Sequence, residues 1–185
     1  TMAPGTIADN LFAIQNHWTT DPQYRGIQVY SGGSLAGVLQ LGDSVAVCGD
    51  VNEGFGLTEI RMHFTDAYHN YGQVGELQGY VLNTSSFPPD SIGVIDPSEP
   101  WESVLLQFNG STVTNALAGF GQYYIDNTPP ATGQETLVDD EGRLGGGLTY
   151  IPALSDLHTY RGLGDFTFGQ YKLQPRNNQD ILPFD

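Results

Sequence analysis

The sequence predicts an all-β fold made of two related modules. Three observations predict it. Short β-branched or aromatic runs recur along the chain, each bounded by Gly, Pro, Asn or Asp. Long helical periodicity is nearly absent. One gapless internal repeat also links the two halves.

The elements follow in order. Gly26-Ile27-Gln28-Val29-Tyr30 alternates apolar and polar residues and breaks at Ser31-Gly32-Gly33. Ser44 to Cys48 places Val45 and Val47 on one face, Ala46 and Cys48 on the other. Leu57 to Phe64 alternates over its whole length. Later runs are Val104–Phe108, Gln122–Ile125, Leu157–Tyr160 and Gln170–Leu173. The best helix candidates are Ile7 to Asn16 and Asp66 to Tyr71, both short.

The repeat sets Leu41–Ile60 against Leu154–Leu173, an offset of 113 residues. Asp43 matches Asp156, Gly49 matches Gly162, Phe55 matches Phe168 and Gly56 matches Gly169. Upstream, Gly26–Tyr30 resembles Gly121–Ile125 more loosely. The pattern predicts modules over 1–82 and 102–185, joined by the Pro-rich stretch 83–101. Each motif residue has a physical role. The Asp after a turn bonds the backbone and starts a strand. The following Gly permits a bulge or tight bend. The Phe-Gly pair closes a hairpin, with the ring packed and glycine at positive φ. This is the grammar of a small, strongly bent barrel.

Composition excludes several classes. The 185 residues carry six Lys+Arg against 21 Asp+Glu, a net charge of −15, and Lys172 is the sole lysine. Such a chain repels a phosphate backbone, so nucleic acid is disfavoured as a partner. No apolar run reaches the ~18 residues of a membrane span. The opening Thr1-Met2-Ala3-Pro4 follows no charged and apolar leader, which predicts a processed product or an excised piece. The single cysteine, Cys48, excludes an internal disulfide and reads as a small buried hydrophobe.

At Gly42-Asp43 to Ile60, with Ile27–Tyr30, the chain resembles the OB-fold-like module that accompanies the catalytic domain of bacterial secreted nucleases. Glu102 to Asn115, Val138-Asp139-Asp140 and Gly164 to Ile181 resemble its partner module. Such modules also occur in bacterial surface proteins that carry no nuclease. The resemblance spans roughly residues 6–182. It implies two tandem OB-like antiparallel β-barrels, extracellular or at the cell surface of a bacterium. The nuclease catalytic set has no counterpart here.

The candidate chemistry is sparse. Ser34 lacks the flanks of a nucleophile elbow. Gly145-Gly146-Gly147 precedes no lysine and reads as a crossover. His17, His63, His69 and His158 are scattered. Asp139, Asp140 and Glu141 cluster before a glycine run, and Asp126 follows a strand. These acids read either as solvated loops or as Ca²⁺ ligands. Tyr30, Tyr123, Tyr124 and Tyr171, with Tyr24, read either as a ligand-binding barrel face or as core and ordinary surface.

The leading functional expectation is a non-catalytic structural subunit, a filament or matrix component that self-associates through sheet edges. Apolar Ile7 to Ile14 is suited to pair with a neighbour's edge. The alternative is an accessory substrate-binding or docking domain of a secreted nuclease or other hydrolase. An enzyme built on Asp139 and Asp140 stands third.

Overall fold

The computed structural model describes residues 2–3, 11–16, 21–32, 35, 38–54, 56–64, 67–90, 96–128, 134–140 and 148–184. The all-β class holds. The first half contains β1 (Met2–Ala3), β2 (Leu11–Gln15), β3 (Gly26–Tyr30), β4 (Asp43–Val47), β5 (Gly49–Gly54), β6 (Leu57–Met62) and β7 (Tyr68–Gln73). A two-residue β8 (Tyr80–Val81) leads to β9 (Leu105–Gly119), β10 (Gln122–Asp126), β11 (Thr136–Val138), β12 (Leu157–Thr167), β13 (Gln170–Gln174) and β14 (Ile181–Pro183). The only helical pieces among the described residues are single 3-10 turns at Thr84–Ser86, Glu99–Trp101 and Asn178–Asp180.

Both helix candidates are overturned where they can be seen. Leu11–Gln15 is β2, paired antiparallel with β3, and Tyr68–Gln73 is β7, paired with β4. Phe12 and Ala13, adjacent and on opposite faces of β2, are both buried. A strand covered on both faces reads as an apolar run rather than an alternation. Leu11 to Ile14 pairs within its own sheet, so this stretch is not a free arm for a neighbour.

In the first half the strand order is β1-β2-β3-β6-β5, with β4 and β7 in a separate ribbon. Among the described residues that sheet stays open at β1 and β5. In the second half the order is β14-β12-β13-β11-β10-β9-β8, and β12 also pairs with β9.

The internal repeat has a structural counterpart. Val29 pairs with Ile60 in the parallel β3–β6 ladder, and Val138 pairs with Leu173 in the parallel β11–β13 ladder. Gly54 faces Leu57 across one hairpin, Thr167 faces Gln170 across the other. Ile60 and Leu173 are 113 apart, as are Gly54 and Thr167. The long β12 therefore corresponds to β4 and β5 together, which break at Cys48. Cys48 itself is exposed, against expectation. The looser match of Gly26–Tyr30 to Gly121–Ile125 is displaced: β3 takes the place of β11, not of β10.

The repeated Asp does what its position predicts. Asp43 Oδ2 accepts from the Gln40 N–H at 2.8 Å, and Asp156 Oδ2 accepts from the Ala153 N–H at 2.9 Å. Each Asp N–H returns a bond to the same residue's carbonyl at 3.0 Å. Two reciprocal bonds close each turn and launch the strand.

Two cores and a bridge hold the chain. Phe12, Val29, Leu35, Leu39 and Met62 fill the first half. Phe108, Val113, Tyr123, Ile125, Tyr160 and Leu173 are among the side chains filling the second. Ala13, Leu105 and Leu163 form a third cluster that spans both. The Gln15 side-chain carbonyl accepts from the Leu105 N–H at 3.1 Å across the same junction. The Pro-rich stretch is no loose tether: its Phe87 and Trp101 are buried in the second core.

Candidate functional site

Two hairpin tips mark the site. Gly119 pairs with Gln122, and Thr167 pairs with Gln170, so each loop has two residues. They are Phe120-Gly121 at φ 53° and 79°, and Phe168-Gly169 at φ 53° and 80°. Two successive positive φ values make a type I′ turn, whose first position normally takes Asn, Asp or Gly. A bulky residue there is strained, by roughly 1–2 kcal/mol. Burial does not offset that cost, since Phe120 is 95% exposed and Phe168 is 89% exposed. The ring of Phe168 is therefore not packed as its motif predicts. Phe55, its counterpart in the first half, lies outside the described residues. Two costly choices at two matching tips point to use rather than folding.

A groove of about 330 Å³ lies between the tips, lined by Phe120, Gln122, Asp139, Phe168, Gln170 and Lys172. Strand alternation builds it. On β10 and β13, Gln122, Gln170 and Lys172 turn toward the groove, while the intervening Tyr123 and Tyr171 turn into the core. Lys172 is 2% exposed, and its Nζ donates to Asp139 Oδ2 at 3.1 Å. The Gln122 amide donates to the same oxygen at 2.9 Å. The ammonium also sits 5.5 Å from the centre of the Phe168 ring, within cation–π range. Gln170 is steadied by Asp90 at 3.2 Å. Asp140 lies against Gly121, and burial, then the charge of Asp139, holds its carboxyl above the usual range. The groove thus has a neutralised ionic floor, amide flanks and two aromatic walls.

The tyrosines expected to share a binding face do not share one. Tyr123 and Tyr171 are core residues. The Tyr171 hydroxyl donates to Glu99 at 2.6 Å, and burial raises both phenols well above their usual pKa. Tyr124 is half-buried on the side of β10 opposite Tyr123, and Tyr30 is partly exposed on β3 of the other half.

The acids also divide. Asp126 accepts from the Thr84 hydroxyl at 3.1 Å and the Thr128 N–H at 2.7 Å. Asp139 meets Gln122, at the opposite end of β10, about 13 Å away along the strand. Asp140 stays beside Asp139, and Glu141 lies outside the described residues. Among the described residues no group of three His, Cys, Asp or Glu is placed to hold a metal ion. His63 pairs with Asp50 at 3.1 Å, while His158 packs edge-on against Tyr150. His17, Ser34 and the Gly145–Gly147 run also lie outside the described residues.

The groove residues Phe120, Gln122, Gln170 and Lys172 are absent from the sequence-based candidates. Their signal is nonetheless plain: Phe-Gly-Gln-Tyr occurs at 120–123 and again at 168–171. Comparisons of the chain with protein-family models, curated proteins and solved structures return no match.

Proposed function

We propose that the chain is a non-catalytic binding module that holds a neutral oligosaccharide in the groove between Phe120 and Phe168. The observation that carries this reading is the pair of exposed phenylalanines, both at φ 53°, that line one groove with Lys172 and Asp139. The strand order supports it. The ladders β9–β10, β10–β11, β11–β13, β13–β12 and β12–β9 follow one another in a ring, which we read as an OB-like barrel. OB folds bind oligonucleotides and oligosaccharides on strands 2 and 3, between the loops that join strands 1–2 and 4–5. Numbered that way, Phe120 is on the first of those loops, Phe168 on the second.

Charge decides between the two ligand classes. The net charge is −15, and the one cation among the groove's described residues is already bound to Asp139. A polyanion would be repelled. A neutral sugar needs apolar faces for its C–H surface and amides for its hydroxyls, and the groove offers both. The module then serves a secreted or surface protein as the part that grips a polymer.

Titration calorimetry with neutral oligosaccharides and with single-stranded DNA tests this. Saturable sugar binding that disappears in Phe120→Ala/Phe168→Ala supports it. Sugar binding absent to millimolar concentration, or DNA bound more tightly than sugar, overturns it.

A further inference from the structure

The sole lysine of the chain is buried against a carboxylate. Lys172 is 2% exposed and Asp139 is 3% exposed, and Nζ lies 3.1 Å from Asp139 Oδ2. Such a pair is a poor choice for stability alone, since well-packed apolar side chains of similar volume often serve as well or better. A sequence that does without lysine everywhere else keeps one where its charge is hardest to hold. That placement points to chemistry at the amine.

The backbone brings the two side chains together. Val138 pairs with Leu173 in the parallel β11–β13 ladder, and the Asp139 N–H donates to the Leu173 carbonyl at 3.0 Å. Asp139 and Lys172 therefore spring from adjoining, hydrogen-bonded segments. Effective molarities for groups held in this way reach about 10⁵–10⁸ M. The Gln122 amide donates to Asp139 Oδ2 at 2.9 Å, which draws electron density from the carboxyl carbon and readies it for attack. Asp165 stands directly opposite Lys172 in the β12–β13 ladder, on the same face, and is also buried. It sets a second carboxylate, able to relay a proton, on the amine's side of the sheet.

We propose that Lys172 and Asp139 condense after folding into an intramolecular amide, which ties β13 to the end of β11. The ion pair is the reactant, and a freshly folded chain carries it. One proton passes from Nζ to Oδ2 along the hydrogen bond, which leaves an amine beside a carboxylic acid. In an apolar surrounding that neutral pair forfeits less hydration than two ions do. The Nζ lone pair attacks Cγ, and a C–N bond forms. A second proton moves from the nitrogen to Oδ2, the Cγ–Oδ2 bond breaks and one water departs. The ammonium supplies both protons of that water, so the step needs no other reactant. Both residues line the groove, which gives the water its exit. Among the described residues the β11–β13 ladder has one paired position, and the new bond secures it covalently.

Intact-mass spectrometry of the purified full chain tests the proposal with no ligand present, so its outcome is separate from that of oligosaccharide binding. We expect the chain, after prolonged incubation at neutral pH, to be lighter than its sequence by one water. Proteolysis and tandem mass spectrometry should then place Lys172 and Asp139 in one branched peptide. Lys172→Arg keeps the charge without the nucleophilic amine and should have the full sequence mass. Asp139→Asn should lose ammonia in place of water, which identifies the leaving group. A parent chain that keeps its full mass overturns the proposal, whether or not any variant folds. So does a water loss that persists in Lys172→Arg, or one that maps to another pair of residues.

Discussion

Phe120 and Phe168 occupy the same place in two matching turns. Both have φ of 53°, both precede a left-handed glycine and then a glutamine, and both leave the ring in solvent. Asn in that position relieves the strain and gives up little packing, the contact of the Phe168 ring with the Lys172 ammonium being the exception. Phe120→Asn and Phe168→Asn should each stabilise the protein by about 0.5–1 kcal/mol. The same substitutions should weaken oligosaccharide binding at least tenfold. Urea unfolding read beside a binding isotherm checks both halves of this claim. Stability lost on either substitution would show that the rings serve the fold.

The Lys172–Asp139 pair lies under those rings with both side chains almost fully buried. Burying two charges is costly, and removing one partner strands the other. Lys172→Met should therefore destabilise by about 3–5 kcal/mol. Lys172→Met combined with Asp139→Leu should recover most of that loss, because neither charge is then orphaned. Equilibrium unfolding of the single and double variants measures the difference. A double variant as unstable as the single one would refute the orphaned charge as the cause.

Glu102 gives the protein a distinct pH response. Burial, then the nearby charge of Glu99, pushes its pKa up to about 8, against the weaker pull of the Thr58 N–H, with Glu53 and Asp165 adding to the rise. Its Oε2 lies 3.4 Å from the Thr58 nitrogen, across the junction of the two halves. The folded state therefore holds a proton that the unfolded state releases near the ordinary value of 4.5. The stability linked to this group is fully present below about 4.5 and is lost as pH rises to about 8. Glu102→Gln keeps a neutral side chain at every pH. Its melting temperature should exceed that of the parent at pH 8 and match it at pH 4.5, as a pH series of thermal melts would show. An equal gap at both values would remove Glu102 from the account.

Much of the fold is legible in the sequence, because half-covered strands alternate. Leu57–Met62 and the Asp43/Asp156 turns can be read directly. β2 is misread because Phe12 and Ala13 are both covered, and a doubly buried strand loses its period. β7 is misread for another reason. Exposure along Tyr68–Gln73 does alternate, but His69 and Tyr71 lie on its solvent side and mask the pattern. The site is legible only in part. Phe168 can be assigned to a hairpin, but nothing local tells a packed ring from an exposed one. Asp139 reads as a metal candidate because the lysine that neutralises it lies 33 residues away.

The repeated glycines make the last prediction. A side chain at Gly49 would strike the backbone of Arg61, and one at Gly162 would meet the Gln174 backbone at 2.6 Å. Arg61 and Gln174 stand in the same relation as their glycines, so one close crossing of strands has been used twice. Neither neighbour can retreat, because both are backbone atoms in paired strands. Gly49→Ala and Gly162→Ala should each cost about 1–3 kcal/mol by forcing the strands apart. Gly162 lies in a strand held on both sides, by β9 and β13, whereas Gly49 lies at the edge of its described sheet. Gly162→Ala should therefore be the more damaging. Unfolding midpoints in urea give the order, and equal losses would mean that the second strand partner adds no rigidity.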